Sequence, residues 1–309
     1  MRVLDVQALA SVQDLGRVGY RSQGLGQAGA MDALALKTGN LLLNNDENAA
    51  AIEVAMGGMV LEFEHDTPFC LTGAFYEAHL NHKPVYSYWR YTAKKGQRLT
   101  LIRAKRGLYG YICVQGGIQT PKLFDSRSTD IRAQIGGVEG RYLRVGDELP
   151  TQVEQEFLSE IAVAPIELRQ VIYAIPSSEY RYFSEQSHQR FWQSAFVLQS
   201  QSDRMGFRLK GDGLELSEPL EMLSHAIPMG TVQVPPDGQP IVLMRDAQTT
   251  GGYAKIACVL ESELGRLAQT RFGMPIQFQW ASVEKIAHLR KQDTVYLRQI
   301  KMIAESNKP

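Results

Sequence analysis

Three polar blocks in this chain of 309 residues carry residue types that do chemistry. The first, Asp246-Ala-Gln-Thr-Thr-Gly-Gly-Tyr253-Ala-Lys255, closes a hydrophobic run with an acid, an amide, two hydroxyls, a double glycine, a phenol and an amine. Polar side chains gathered at a strand end, beside glycines that let a ligand approach the backbone, suit a binding pocket. The second, Asp125-Ser-Arg-Ser-Thr-Asp130-Ile-Arg132, places two guanidiniums, three hydroxyls and two carboxylates within eight residues. That composition makes either an anion clamp or a self-satisfied ion-pair network. Ser202-Asp-Arg-Met-Gly-Phe-Arg208 is built alike. Each block also reads as a hydrogen-bonded corner. Together, in a chain with no other evident chemistry, they favour a pocket, and the groups are expected to meet around one hollow.

The remaining motifs carry less. Gly24-Leu-Gly-Gln-Ala-Gly29 has GxGxxG spacing, but a dinucleotide fingerprint needs a buried strand just before it, and Arg17-Val-Gly-Tyr-Arg-Ser-Gln23 supplies none. What is left is a glycine loop whose N–H groups suit an anion, or a tight turn. His79 and His82 are three apart without a third ligand, so no metal site is expected. Cys70, Cys113 and Cys258 each sit among apolar neighbours, where a thiolate is disfavoured. No GxSxG elbow and no Walker A sequence occurs.

Strand signals must position these blocks. Short runs rich in Val, Ile, Tyr, Phe and Thr recur at 59–63, 84–91, 99–102, 109–114, 166–175, 232–234 and 241–244, and the N-terminal residues read as a further strand. Pro235-Pro236-Asp237-Gly238 between two of these runs predicts a hairpin turn. Helices are predicted over 31–43, weakened by Gly39, and over 178–192, 262–269 and 282–290. The class is therefore mainly β with a few short helices. A boundary falls where Gly146-Asp-Glu-Leu-Pro150 closes a Gly-rich block and the acidic stretch 152–160 follows, dividing the chain into 1–160 and 161–309. The polar tail after Lys301 is expected to fray.

Composition removes several classes of function. With 33 Lys+Arg against 33 Asp+Glu, there is no electrostatic footprint for nucleic acid or an anionic membrane. No apolar run approaches the ~20 residues of a membrane helix, and Asp5 and Gln7 interrupt any signal-peptide core. Three isolated cysteines give no disulfide framework, so a cytoplasmic protein is expected.

The strings Val12–Tyr20, Gly29-Ala-Met-Asp32, Ser126–Asp130, Gly140-Arg141 with Gly146-Asp147, Ser202–Gly206, Val234–Ile241 and Gln248–Tyr253 resemble the biotin-dependent carboxyltransferase family, also called the allophanate hydrolase subunit 2 family, in the family's order from about residue 4 to 279. The resemblance implies two cyclophilin-like β-barrel domains. It also implies a place in an ATP-dependent 5-oxoprolinase that opens 5-oxoproline to glutamate, with a subunit-B-like partner of the allophanate hydrolase subunit 1 family and a further subunit-A-like chain. ATP would be shared with a partner, because no phosphate-gripping lysine motif occurs here. Two alternatives are a carboxyltransferase module for urea or another amide, with biotin on a separate chain, and a non-catalytic regulatory subunit. Ile-Lys301-Met lacks the flanks of a biotin attachment site.

For a small planar amide, Asp246, Gln248, Thr249 and Tyr253 would form a hydrogen-bonding cage, with Thr250, Gln233 and Lys255 beside it. Arg17, Arg127 and Arg204 would take a carboxylate or carbonyl phosphate, with Ser128 and Asp130 alongside, and Asp32 would serve as an acid or base. The chain departs from the family pattern at five places. It has Pro176-Ser-Ser-Glu179 for Pro-Gly-Pro-Gln, Tyr109 for Arg, Asp125 for Gly, Ala247 for Arg and Ala254 for Pro. Two arginines lost from an anion site bear on substrate choice and on turnover.

Overall fold

A computed structural model describes residues 1–152, 158–220 and 222–307. The chain divides into two units that are not consecutive stretches of sequence. The first comprises Met1–Arg17, Ala28–Glu167 and Gln292–Pro309; the second comprises Val18–Gln27 and Leu168–Lys291. Much of the acidic stretch expected near the boundary lies outside the described residues.

The first unit holds β1 (Arg2–Val6), β2 (Ala10–Gln13), α1 (Ala33–Leu42), β3 (Ala51–Ala55), β4 (Met59–Glu62), β5 (Thr67–Leu80), β6 (Lys83–Val85), β7 (Trp89–Ala93), β8 (Arg98–Val114) and β9 (Ile161–Ala162). These nine strands make one branched sheet organised on β8. β5 runs along most of β8, while β4 pairs with its first part and β3 with its last. The predicted runs at 99–102 and 109–114 are thus one long strand, whereas 84–91 is broken at Tyr88 into β6 and β7. The period of two explains why β8 ends in an unbroken apolar stretch. Ile112 and Val114 face one core with Phe69 and Leu71, while Tyr111 and Cys113 face a second core beneath α1.

Gly39, which weakens α1 as a helix, is required by that second core. A Cβ there would lie 2.5 Å from the Cys113 sulfur and 3.0 Å from the Thr72 hydroxyl. Cys70 and Cys113 are register partners on adjacent strands, both free and fully buried, and burial pushes the Cys70 thiol up. The pairing of two cysteines 43 residues apart was invisible in sequence.

In the second unit β10 (Val171–Pro176), β11 (Ala195–Leu198), β12 (Gly206–Lys210), β14 (Thr231–Val234), β15 (Ile241–Leu243), β17 (Ala254–Val259) and β18 (Pro275–Trp280) close into a barrel. Its order is β10-β17-β14-β15-β12-β11-β18, and β10 and β18 join in parallel. The two-residue strands β13 (His225–Ala226) and β16 (Thr250–Gly251) pair separately. The hairpin predicted at Pro235–Gly238 joins β14 to β15: Gly238 has φ 74° and its N–H bonds the Pro235 carbonyl.

Two helical expectations change. The segment 178–192 is a turn of 3-10 helix at Tyr180–Tyr182 followed by α2 (Glu185–Gln193), because Ser184 is extended and its side chain caps Ser187 N–H. The helix expected over 282–290, with a frayed tail, is instead α4 (Val283–Ser306), 24 residues long. Its end is held because Ile300 and Ala304 are buried and the Asn307 carbonyl accepts from Arg90 and Ser159. α3 (Glu261–Ala268) forms where predicted, one residue earlier. Among the described residues no helix is long and apolar enough to cross a membrane.

Replacing Gly39 with Ala should lower stability by about 1 kcal/mol net, because overpacking costs of about 1–3 kcal/mol exceed the helix gain. Thermal denaturation checks this, and much of the loss should vanish in a Cys113→Ala background.

Candidate functional site

The expected anion clamp in the first unit is a closed corner around Asp14. Its carboxylate accepts from the Ser126 and Ser128 hydroxyls at 2.6 Å and from the Arg127 N–H at 2.6 Å. The Arg127 side chain donates to the Gln119 carboxamide at 2.7 Å and to the Thr120 carbonyl. Arg17 is buried and donates to the Ser128 carbonyl. Asp130 accepts from Ala133 N–H at 2.9 Å within its own turn. Within this corner the Asp14 carboxylate and the Arg127 side chain bond to neighbouring groups of the same unit. Asp125, where the family has glycine, has φ 60°, a left-handed conformation that Asp tolerates better than most residues.

Asp32 caps α1. Its carboxylate accepts Ala35 N–H at 3.1 Å. The backbone N–H groups just before α1 already have acceptors. Gly29 donates to Gln13 and Met31 to Glu53, while Asp32 N–H donates to the Tyr111 hydroxyl, which in turn donates to Glu53. Burial, with the Glu53 charge beside it, raises the Tyr111 phenol well above its ordinary value. At the start of the loop Gly24, with φ 82°, closes a turn by donating its N–H to the Arg21 carbonyl.

Arg141 and Asp147 form a bidentate pair at 2.8 and 2.9 Å that fixes the turn between them. Hydrogen bonding from Arg141 holds the Asp147 carboxyl below its ordinary value, and the same pair raises Arg141.

In the second unit Arg204 meets Asp246 through two 2.8 Å bonds, both side chains being 6% exposed. The guanidinium expected to bind an anion and the carboxylate expected in the amide cage therefore engage each other. Ala247, where the family has arginine, packs with Ile227 and Leu243 in a small apolar cluster. The Gln248 carbonyl accepts from Arg21, which also donates to Ile227, and the Thr249 carbonyl accepts Ile227 N–H. Arg21 comes from the Val18–Gln27 segment, which belongs to this unit; nothing in the local sequence marks it.

Gln233, Thr250 and Lys255 come together with two residues that were not expected. Gln233 and Lys255 face each other across β14 and β17, next to a bulge between Val232 and Gln233 that re-aims the ladder. Lys255 is 4% exposed; its ammonium donates to the Tyr253 carbonyl at 3.1 Å and lies 3.6 Å from the Glu179 carboxylate. Glu179 Oε1 accepts from Ser178 and lies 3.8 Å from His225 Nε2. His225 pairs in register with Gly251, next to Thr250, and a Cβ on Gly251 would lie 2.5 Å from the Gln233 amide nitrogen. Tyr253 is half exposed. Glu179 had a signal in sequence, as a carboxylate where the family pattern has an amide. His225 had none. An open groove of about 670 Å³ elsewhere on this unit is bordered by Gln199, Arg208, Lys210, Asp237 and Gln239, of which Arg208 closes the third polar block. Among the described residues no cluster of His, Cys, Asp or Glu could hold a metal ion.

A branched β sheet in one unit, and in the other a closed barrel carrying polar side chains at a bulged strand pair, make the architecture of a carboxyltransferase domain. Residues 23–280 match the family described as carboxyltransferase domain, subdomain A and B, and the chain belongs to that family. It is 55% identical over 303 residues to the 5-oxoprolinase subunit-C protein of Haemophilus influenzae, covering 98% of both chains, and 43% identical over 301 residues to the Escherichia coli protein of that name, covering 97% of both. It is 27% identical to urea amidolyase of Saccharomyces cerevisiae over 95% of this chain but 17% of that protein. The crystal structure of Kluyveromyces lactis urea carboxylase superimposes with a TM-score of 0.89 over 97% of this chain and 29% of that one; at 24% identity the likeness is one of fold.

Asp246→Ala should cost about 3–5 kcal/mol in chemical denaturation, because it leaves the Arg204 charge buried without its partner. A loss below about 1 kcal/mol would contradict that role. For Asp147 the sign follows from its lowered value. The stabilisation is full above the ordinary carboxylate value of 3.8 and is lost as pH falls through the lower folded value. Asp147→Asn should therefore flatten the acid limb of a stability–pH curve below about pH 4.

Proposed function

We propose that this chain is a subunit of an ATP-dependent 5-oxoprolinase, working with subunit-B-like and subunit-A-like partners to open 5-oxoproline to glutamate. The observation that carries this is identity of 55% and 43%, along nearly the whole of both chains, to proteins named as the subunit-C component of 5-oxoprolinase. Identity at that level and coverage far exceeds the 27% shared with urea amidolyase, which leaves urea carboxyl transfer as the weaker reading.

The chemistry agrees. A five-membered lactam presents one carbonyl acceptor, one N–H donor and a carboxylate. The second unit holds two buried donors, the Gln233 amide and the Lys255 ammonium, side by side across two strands. Such donors hold an amide oxygen and draw charge from its carbonyl. An unactivated amide is a poor electrophile; phosphorylation of its oxygen supplies a leaving group, which accounts for the use of ATP. No phosphate-gripping lysine motif occurs in the chain, and the N–H groups of Gly29, Met31 and Asp32 just before α1 are already taken by Gln13, Glu53 and Tyr111. We therefore assign the ATP contacts to partner subunits. Lys301, whose flanks differ from a biotin attachment site, lies within helix α4.

Co-expression with subunit-B-like and subunit-A-like chains should yield a complex that releases glutamate from 5-oxoproline only when ATP is present, while this chain alone releases little. Avidin-sensitive carboxylation of urea by the complex, or binding without turnover, would contradict the proposal.

A further inference from the structure

We propose that Glu179 is the acceptor for the N–H of the bound amide, completing with Gln233 and Lys255 a site that reads both edges of a lactam. This rests on the amide substrate class proposed above.

The site is a closed ring of neighbours within the second unit. Glu179 lies against Lys255, and Lys255 faces Gln233 across the β14–β17 pair. The Gln233 amide abuts Gly251, Gly251 pairs with His225, and His225 returns to Glu179. Three of these residues are more than nine-tenths buried: Gln233, Lys255 and Glu179. Two of their polar atoms make no hydrogen bond, the Gln233 amide nitrogen and Glu179 Oε2. One is a donor and the other an acceptor, so the ring lacks a guest that offers an acceptor and a donor together. A cis amide, as in a lactam, has that pattern: its carbonyl oxygen would take Gln233 and Lys255, and its N–H would give to Glu179. Gly251 matters because any side chain there would occupy the space against the Gln233 amide.

Glu179 is held for this role. The chain leaves β10 at Pro176, Ser177 bonds both the Ile256 and Lys255 carbonyls, and the carboxylate is thereby pinned beside β17. Ser178 occupies Oε1, leaving Oε2 toward Lys255. A carboxylate, unlike a carboxamide, can only accept. It therefore selects an N–H and opposes a ring oxygen in the same place.

The test compares 5-oxoproline with the lactone analogue in which a ring oxygen replaces the N–H. Binding to the full-length chain is measured by calorimetry, and the KM for 5-oxoproline with the co-expressed complex. Wild type should prefer the lactam by roughly tenfold to a hundredfold. Glu179→Gln, whose amide can turn a donor toward the lactone, should bring that preference to within about threefold, with a lowered melting temperature because the buried Lys255 ammonium loses its carboxylate. If Glu179 only neutralises Lys255, both ligands weaken alike and the ratio stays, which overturns the proposal. Wild type that binds neither ligand, or binds both equally, overturns it too. A wild-type lactam preference that Glu179→Gln abolishes, in a complex that yields no glutamate with ATP, would support the site and contradict the 5-oxoprolinase reading instead. Should Glu179→Gln fail to fold, Glu179→Asp keeps the charge, shortens the reach by one methylene and should likewise reduce the ratio.

Discussion

Burying a polar atom without a hydrogen bond costs about 1–3 kcal/mol, and the second unit keeps two such atoms, one donor and one acceptor, within a single ring of side chains. The surrounding structure makes sense as the apparatus that holds them apart. Closure of seven strands fixes β14 beside β17, and the bulge between Val232 and Gln233 brings the amide opposite Lys255. The loop after β10 sets Glu179 on the other side of the ammonium. Had Gln233 been able to reach Glu179 directly, the two would have satisfied each other and left nothing for a guest.

The contrast with the rest of the molecule sharpens this. Asp14, Ser126, Arg127 and Ser128 have the composition of an anion site, yet they satisfy one another. Arg204 and Asp246 do the same as a buried bidentate pair. Such networks fix corners and specify one packing. Residue type alone does not separate the two cases, since both are rich in hydroxyls, guanidiniums and carboxylates. The distinction lies in how the carboxylates are bonded after folding: Asp14 and Asp246 have hydrogen bonds on both oxygens, whereas Glu179 Oε2 has none.

Much of the architecture was legible. Short β-rich runs punctuated by glycine and proline gave the mainly β class, and Pro235–Gly238 gave its hairpin, because turn chemistry and strand patterning are local. The failures were where tertiary contacts decide. The split of 178–192 follows from the Ser184 cap, and the length of α4 depends on Ile300 and Ala304 finding a buried surface. Gly39 reads as a defect in a helix and proves to be clearance for Cys113. At the site, Gln233, Thr250 and Lys255 were visible as polar residues at strand ends. Arg21 and His225 were not, because they reach the site from a distant segment and from a two-residue strand that no propensity marks. Glu179 was visible only as a departure from the family pattern, and its meaning came from the lysine it faces.

The most direct measurement follows the side-chain nitrogens themselves. In nitrogen-15 spectra of the full-length chain, titration with 5-oxoproline should shift the Gln233 carboxamide and the Lys255 ammonium together, saturably and with one dissociation constant. Saturable binding that leaves both signals in place, with changes confined to the groove at Arg208 and Lys210 or to the Asp14 corner, would contradict the account.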